Sequence, residues 1–102
     1  MTGRSTGDFP LAPELERTLL ILLSKREFGL NTAQILQETA RAHSLSAENL
    51  RVKRGDGRYE FRYRLAWVRT KAKNKGLIER TSNSVWRITN HGLKILEELE
   101  QI

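Results

Sequence analysis

Between Arg51 and Lys75 the chain places ten arginine and lysine side chains: Arg51, Lys53, Arg54, Arg58, Arg62, Arg64, Arg69, Lys71, Lys73 and Lys75. Two acids, Asp56 and Glu60, share that stretch, which therefore carries a net charge of +8. The whole chain has a formal charge of +6, so the remaining three quarters sum to −2. Cations crowded into one quarter of a sequence repel one another, and a polyanionic partner is what relieves that repulsion. The chemistry on offer is neutralisation of phosphates, with salt-dependent affinity as its signature. A solvated basic face with no partner would leave the repulsion uncompensated.

Bond-breaking chemistry finds little material. With no cysteine there is no thiolate nucleophile, no thiolate metal site and no disulfide framework. His43 and His91 stand far apart, without metal-ligand spacing between them. The nearest approach to a nuclease carboxylate pair is Asp56 with Glu60. The lysine such a site needs two residues on is Arg62, and the pair lies on a glycine loop rather than a strand. The chain is expected not to be an enzyme, to use no cofactor and to hold no metal.

The elements that must position the basic residues follow from periodicity. At 102 residues there is room for one domain, and a hydrophobic fraction of 38% suffices for one modest core. No apolar run approaches the roughly 20 residues of a membrane span, and Met1 to Gly7 lacks the apolar stretch of a signal peptide. A cytoplasmic protein is expected, with residues 1–10 a disordered lead-in and 11–102 the folded domain. Pro13 suits a first helical turn, and Leu15, Leu19, Leu22 and Leu23 share a face, which predicts a helix over 13–27 before Gly29. Asn31 with Gln34 forms the sequence of a reciprocal cap, opening a second helix whose buried face is Ile35, Leu36, Thr39 and Ala40 and which fades by Ala42 to Ser44. Ser46 to Leu50 reads as a short capped stub, followed by a loop turning at Gly55-Asp56-Gly57.

A third helix spans about 60–75 and ends at Gly76. Phe61, Leu65, Val68 and Ala72 fall within a sector of about 60° and define its core stripe. Tyr63, Trp67, Thr70 and Asn74 lie opposite. The period then changes to that of a strand, turn and strand over Leu77–Arg80, Ser82-Asn83-Ser84 and Val85–Ile88. Thr89 caps a last helix with Leu93, Leu96 and Leu99 inward and Ile95 close by. Three helices, a two-stranded wing and a C-terminal helix make an α+β, mostly α, fold with the outline of a winged helix-turn-helix. A lone hairpin is barely stable, so the wing must rest on the helical core.

The segment Tyr63-Arg64-Leu65-Ala66-Trp67-Val68-Arg69-Thr70, with Lys71 to Gly76, Leu77-Ile78-Glu79-Arg80, Val85-Trp86-Arg87-Ile88-Thr89 and Gly92, resembles the N-terminal domain of Mrr-type restriction proteins. In that family a Trp-x-Arg-Thr helix runs into Lys-x-x-Gly-Leu-Ile-Glu, and the wing returns as Val-Trp-Arg-Ile-Thr before a glycine. The likeness is close over roughly 61–96. It implies recognition of double-stranded DNA in the service of modification-dependent restriction, with cutting left to a separate nuclease domain or subunit. The wing turn Ser82-Asn83-Ser84 is less basic than the family's, and the loop Arg54-Gly55-Asp56-Gly57-Arg58 is more basic and differently spaced, so the resemblance implies no particular target base.

The expected contacts divide by role. Arg51, Lys53, Arg54 and Arg58 in the loop, with Arg62, Arg64 and Lys71 of the third helix, are placed for phosphates. Tyr63, Thr70 and Asn74 have no core to enter and suit base edges in a groove. Arg80 and Arg87 bracket the wing as further phosphate contacts. Trp67 is expected to pack against the wing or the second helix, and Trp86 to anchor the sheet to the helices. Arg69, beside the core stripe, suits either DNA or a salt bridge to an acid of the last helix. Two other functions fit the same sequence: a homodimeric transcription regulator with Ile95, Ile102 or another leucine-rich patch as its seam, and a protein-interaction module whose basic face meets an acidic protein.

Overall fold

The structure, a computed structural model, describes residues 9–81 and 84–101. Helix α1 (Ala12–Ser24) is followed by a two-residue strand β1 (Leu30–Asn31), helix α2 (Thr32–Ala42) and a single turn α3 (Ala47–Arg51). Helix α4 (Glu60–Asn74), strands β2 (Ile78–Arg80) and β3 (Val85–Ile88) and helix α5 (Asn90–Glu100) complete the chain. The fold is α+β and mostly helical. Caps set the starts: Asn31 accepts from the Gln34 amide while the Gln34 side chain takes the Asn31 amide, Ser46 and Asn49 repeat the arrangement, and Thr89 accepts from the Gly92 amide.

Phe61, Leu65, Val68 and Ala72 of α4 are buried against Leu15, Leu19, Leu20 and Leu23 of α1, with Ile35, Ile78, Trp86 and Leu96 closing the core. On α1 the buried set includes Leu20, and Leu22 is only partly covered. This widens the expected face, because α1 is touched by α2, α4, α5 and β3 rather than by one neighbour. The helix also stops at Ser24, short of the expected 27, and a turn leads into Gly29.

The sheet has three antiparallel strands in the order β1-β3-β2, with Leu30 opposite Trp86 and Ile78 opposite Ile88. Strand β1 has no signature in the sequence, since two residues cannot show alternation. Its pairing depends on Gly29, which has φ +80° and whose missing side chain leaves room for the Trp86 carbonyl and the Val85 side chain. Thr81 pairs back to the Val85 carbonyl at 2.7 Å. The expected turn at Ser82-Asn83-Ser84 falls, except for Ser84, outside the described residues, as do Ile102 and residues 1–8 of the expected lead-in. Phe9 and Pro10, assigned to that lead-in, are instead buried, with the Phe9 ring stacked 6.2 Å from Phe61.

Helix α5 sits at a different rotation from the expected one. Leu96 and Gly92 are buried and Ile95 is half-buried, but Leu93 and Leu99 are 44% and 36% exposed. The cause is Gly92: an added Cβ would collide with the Leu77 carbonyl oxygen and stand 2.7 Å from Ile88 Cγ1. Backbone-to-backbone seating at that point decides which face turns inward. Gly92→Ala is therefore expected to cost about 1–3 kcal/mol, lowering the thermal midpoint by roughly 4–8 °C per kcal/mol. Gly55→Ala, where an added Cβ meets nothing within 4 Å, should leave it nearly unchanged. Equal midpoints for both variants would contradict this seating of α5.

Candidate nucleic-acid interface

Helix α4 turns its core stripe to α1 and also touches α3 and β2, which leaves its outer face open to a partner. Arg62, Trp67, Thr70, Lys71, Lys73 and Asn74 are exposed, and Tyr63 and Ala66 are half-buried. Lys73 and Tyr59 belong to this surface although helical phase does not single them out. Lys73 shares the flank of Arg62 and Ala66, and Tyr59, the residue just before α4, lies 5.4 Å from Lys53 Nζ and 5.6 Å from the Arg62 guanidinium.

The loop before α4 is a small closed turn. Lys53 bridges Tyr59, the Arg54 amide donates to the Arg58 carbonyl at 2.7 Å, and the Glu60 amide donates to the Val52 carbonyl at 2.9 Å. Its two acids hold its arginines. Asp56 accepts from the Arg58 amide, Nε and Nη2 at 3.0, 2.9 and 2.6 Å. Glu60 Oε2 accepts from Arg54 Nη1 at 3.0 Å and from Arg64 Nε at 2.9 Å. The Arg54 and Arg58 guanidiniums lie over the Tyr63 ring, at 3.7 and 4.6 Å from its centre. Of the expected contacts, Arg54, Arg58, Arg64 and Tyr63 are thus joined in one internal network. Arg51, Lys53, Arg62, Lys71 and Lys73 form no ion pair among the described residues. Lys75 pairs with Glu16 at 2.8 Å. On the hairpin Arg80 donates to Ser84 Oγ at 2.9 Å, and Arg87 is exposed opposite Glu79.

Two expectations need correction. Trp67 does not pack on the hairpin or on α2: it is 51% exposed and meets Tyr63 edge-on at 6.4 Å. It lies on the flank of α4 that, with Tyr63, Arg64 and Lys71, lines a shallow hollow beside Pro10 and Ala12, whereas α2 meets the opposite flank. Arg69 makes no salt bridge to an acid of α5. Its guanidinium lies 5.8 Å from the centre of the Trp86 ring, and its Nε is buried without a hydrogen-bond partner among the described residues. Trp86 itself is buried, joining the sheet to the core.

His43 Nε2 meets the Thr18 hydroxyl at 2.7 Å, and His91 is exposed at the start of α5. No group of three or more His, Asp or Glu among the described residues is placed to hold a metal. Asp56 and Glu60 are both engaged by arginines. No helix among the described residues is long and apolar enough to cross a membrane.

Helix and loop together define a class: a small, mostly helical α+β domain with a three-stranded antiparallel sheet and a strongly basic helix turned outward. The model of the Mrr N-terminal domain family matches residues 13–98, and the chain belongs to that family. No curated protein and no solved structure matches it.

The arginines hold both loop carboxyls ionised to lower pH. Side-chain hydrogen bonding from Arg58 lowers Asp56 from 3.8 to about 2, and that from Arg64 lowers Glu60 below 4.5 against the opposing effect of burial. A carboxyl with a depressed folded-state pKa stabilises fully above its unfolded value, and the contribution is lost as pH falls through the folded value. The loop should therefore hold at about pH 5 and above and loosen between about pH 4 and 2. NMR resonances of the Arg58 and Arg64 Nε–H groups report this. Resonances unmoved down to pH 2 would exclude the clamp.

Proposed function

We propose that the chain is a winged-helix module that binds double-stranded DNA, laying the outer face of α4 in the major groove. The carrying observation is the exposed face of α4, where Arg62, Lys71 and Lys73 form no ion pair among the described residues and stand beside Thr70 and Asn74. A surface that combines unpaired cations with short hydrogen-bonding side chains suits phosphates at its margins and base edges at its centre. Arg51 and Lys53 of the loop and Arg80 and Arg87 of the hairpin extend the phosphate contacts to either side. Arg54, Arg58 and Arg64 act first as the frame of the loop, with their charge adding to the field that attracts the duplex. Membership of the Mrr N-terminal domain family supports a place in restriction, with this domain reading modified or specific DNA in the cytoplasm and a separate nuclease domain or subunit doing the cutting.

Contacts of the two kinds separate by experiment. Arg62→Ala with Lys73→Ala should weaken binding to all duplexes alike and flatten the dependence of log K on log salt by about 0.9 per lost contact. Asn74→Ala should leave that slope in place and lower discrimination between duplex sequences by about 1–3 kcal/mol at one base pair. Fluorescence anisotropy over about 50–200 mM salt measures both. Unchanged affinity and slope in the double variant would overturn the assignment of this face.

A homodimeric regulator is the second reading, favoured by the exposure of Leu93 and Leu99 on α5. Light scattering decides it: a dimer that Leu93→Glu converts to a monomer supports it, and a monomeric wild-type chain excludes it.

A further inference from the structure

Helices α2 and α4 meet along a groove of about 450 Å³, bordered by Thr32, Ala33, Leu36, Arg62, Ala66 and Arg69. That volume lies in the range of small-ligand sites. Its floor is apolar, from Leu36, Leu65 and Ala66, and no acidic side chain among the described residues lines it. The polar residues that border it are Arg62 and Arg69, whose guanidiniums lie 5.6 Å from the Tyr59 ring and 5.8 Å from the Trp86 ring, and Thr32 in the first turn of the 11-residue helix α2. The cap at Asn31 engages the amides of Asn31 and Gln34, and those of Thr32 and Ala33 stand at the positive end of the helix.

Arg69 is the unusual member. More than half of it is buried, desolvation draws its pKa below the usual arginine value, and no carboxylate reaches it among the described residues. Among the described residues its Nε lacks a hydrogen-bond partner, and its charge lies beside the Trp86 ring. A partly desolvated guanidinium with no carboxylate beside it among the described residues is costly to keep, and its planar fork is shaped for two oxygens of one anion.

We infer that the groove between α2 and α4 is a phosphate-binding site, with Arg69 taking two phosphoryl oxygens and Arg62 and the first turn of α2 closing on the others. If the DNA reading holds, the phosphate belongs to the duplex backbone, and this groove fixes the angle at which α4 approaches the bases. Inorganic phosphate or a nucleotide would use the same groups, so the site does not depend on that reading.

The test follows the Arg69 Nε–H resonance of the full chain, assigned by its absence in Arg69→Lys, during titration with inorganic phosphate and then with a short unmodified duplex. A saturable shift with both probes, together with a salt slope flatter by about one in Arg69→Gln, is the expected result. A shift with phosphate alone supports the site and assigns it to a free anion. If no duplex binds at all while phosphate still shifts the resonance, the DNA reading fails and the site stands. A resonance unmoved by either probe overturns the proposal. The titration of the wild-type chain decides this even if Arg69→Gln does not fold, and circular dichroism of that variant shows whether it does.

Discussion

The seating of α4 on α1 through one narrow apolar stripe is the constraint on which the rest depends. Phe61, Leu65, Val68 and Ala72 are each nearly or wholly excluded from solvent, at 1, 0, 4 and 0% exposure. Because the stripe is so narrow, packing consumes little of the helix surface. One flank is left to α2 and its groove, the other to the hollow beside Pro10, and the outer face is open. A wider apolar stripe would have drawn Thr70 or Asn74 inward and removed the surface that suits a groove. The hairpin depends on the same packing, since Ile78 and Trp86 close the core that α4 begins.

Electrostatics then decide how ten cations share such a small area. Asp56 and Glu60 are the two acids in the stretch, and between them they engage Arg54, Arg58 and Arg64. The side chains of Asp56, Arg58 and Arg64 keep 44, 63 and 41% of their surface exposed and that of Arg54 keeps 32%, so each pair contributes modestly to stability. Their structural effect is greater: they fix the loop against the Tyr63 ring and hold apart charges that would otherwise scatter it. The cations on the outer face are not neutralised in this way. The chain therefore combines paired arginines that shape the approach to α4 with unpaired ones that remain available to an anion.

Much of this was legible in the order of residues. The caps at Asn31, Ser46 and Thr89 are local, because a side chain bonds an amide three residues on, and such contacts need no knowledge of the rest of the fold. The core stripe of α4 and the β2–β3 hairpin were legible for the same reason, as periodicities within one element. The motifs around Trp67 and Val85–Thr89 pointed to the Mrr N-terminal family, whose model matches residues 13–98. Strand β1 was not legible, because two residues carry no period and Leu30 is recruited by Trp86, far along the chain.

The order of residues therefore dictates local features: which segments are helical, where they are capped, which stripe of α4 is apolar and where the positive charge is concentrated. The rotation of α5, set by the contact of Gly92 with Leu77, and the partners of each arginine arise from long-range packing. It placed Arg54 and Arg64 on one carboxylate and left Arg69 against Trp86 with no acid. The physical reason is that hydrogen bonding within a turn depends on neighbours a few residues away, whereas burial and charge pairing depend on which distant elements come to lie side by side.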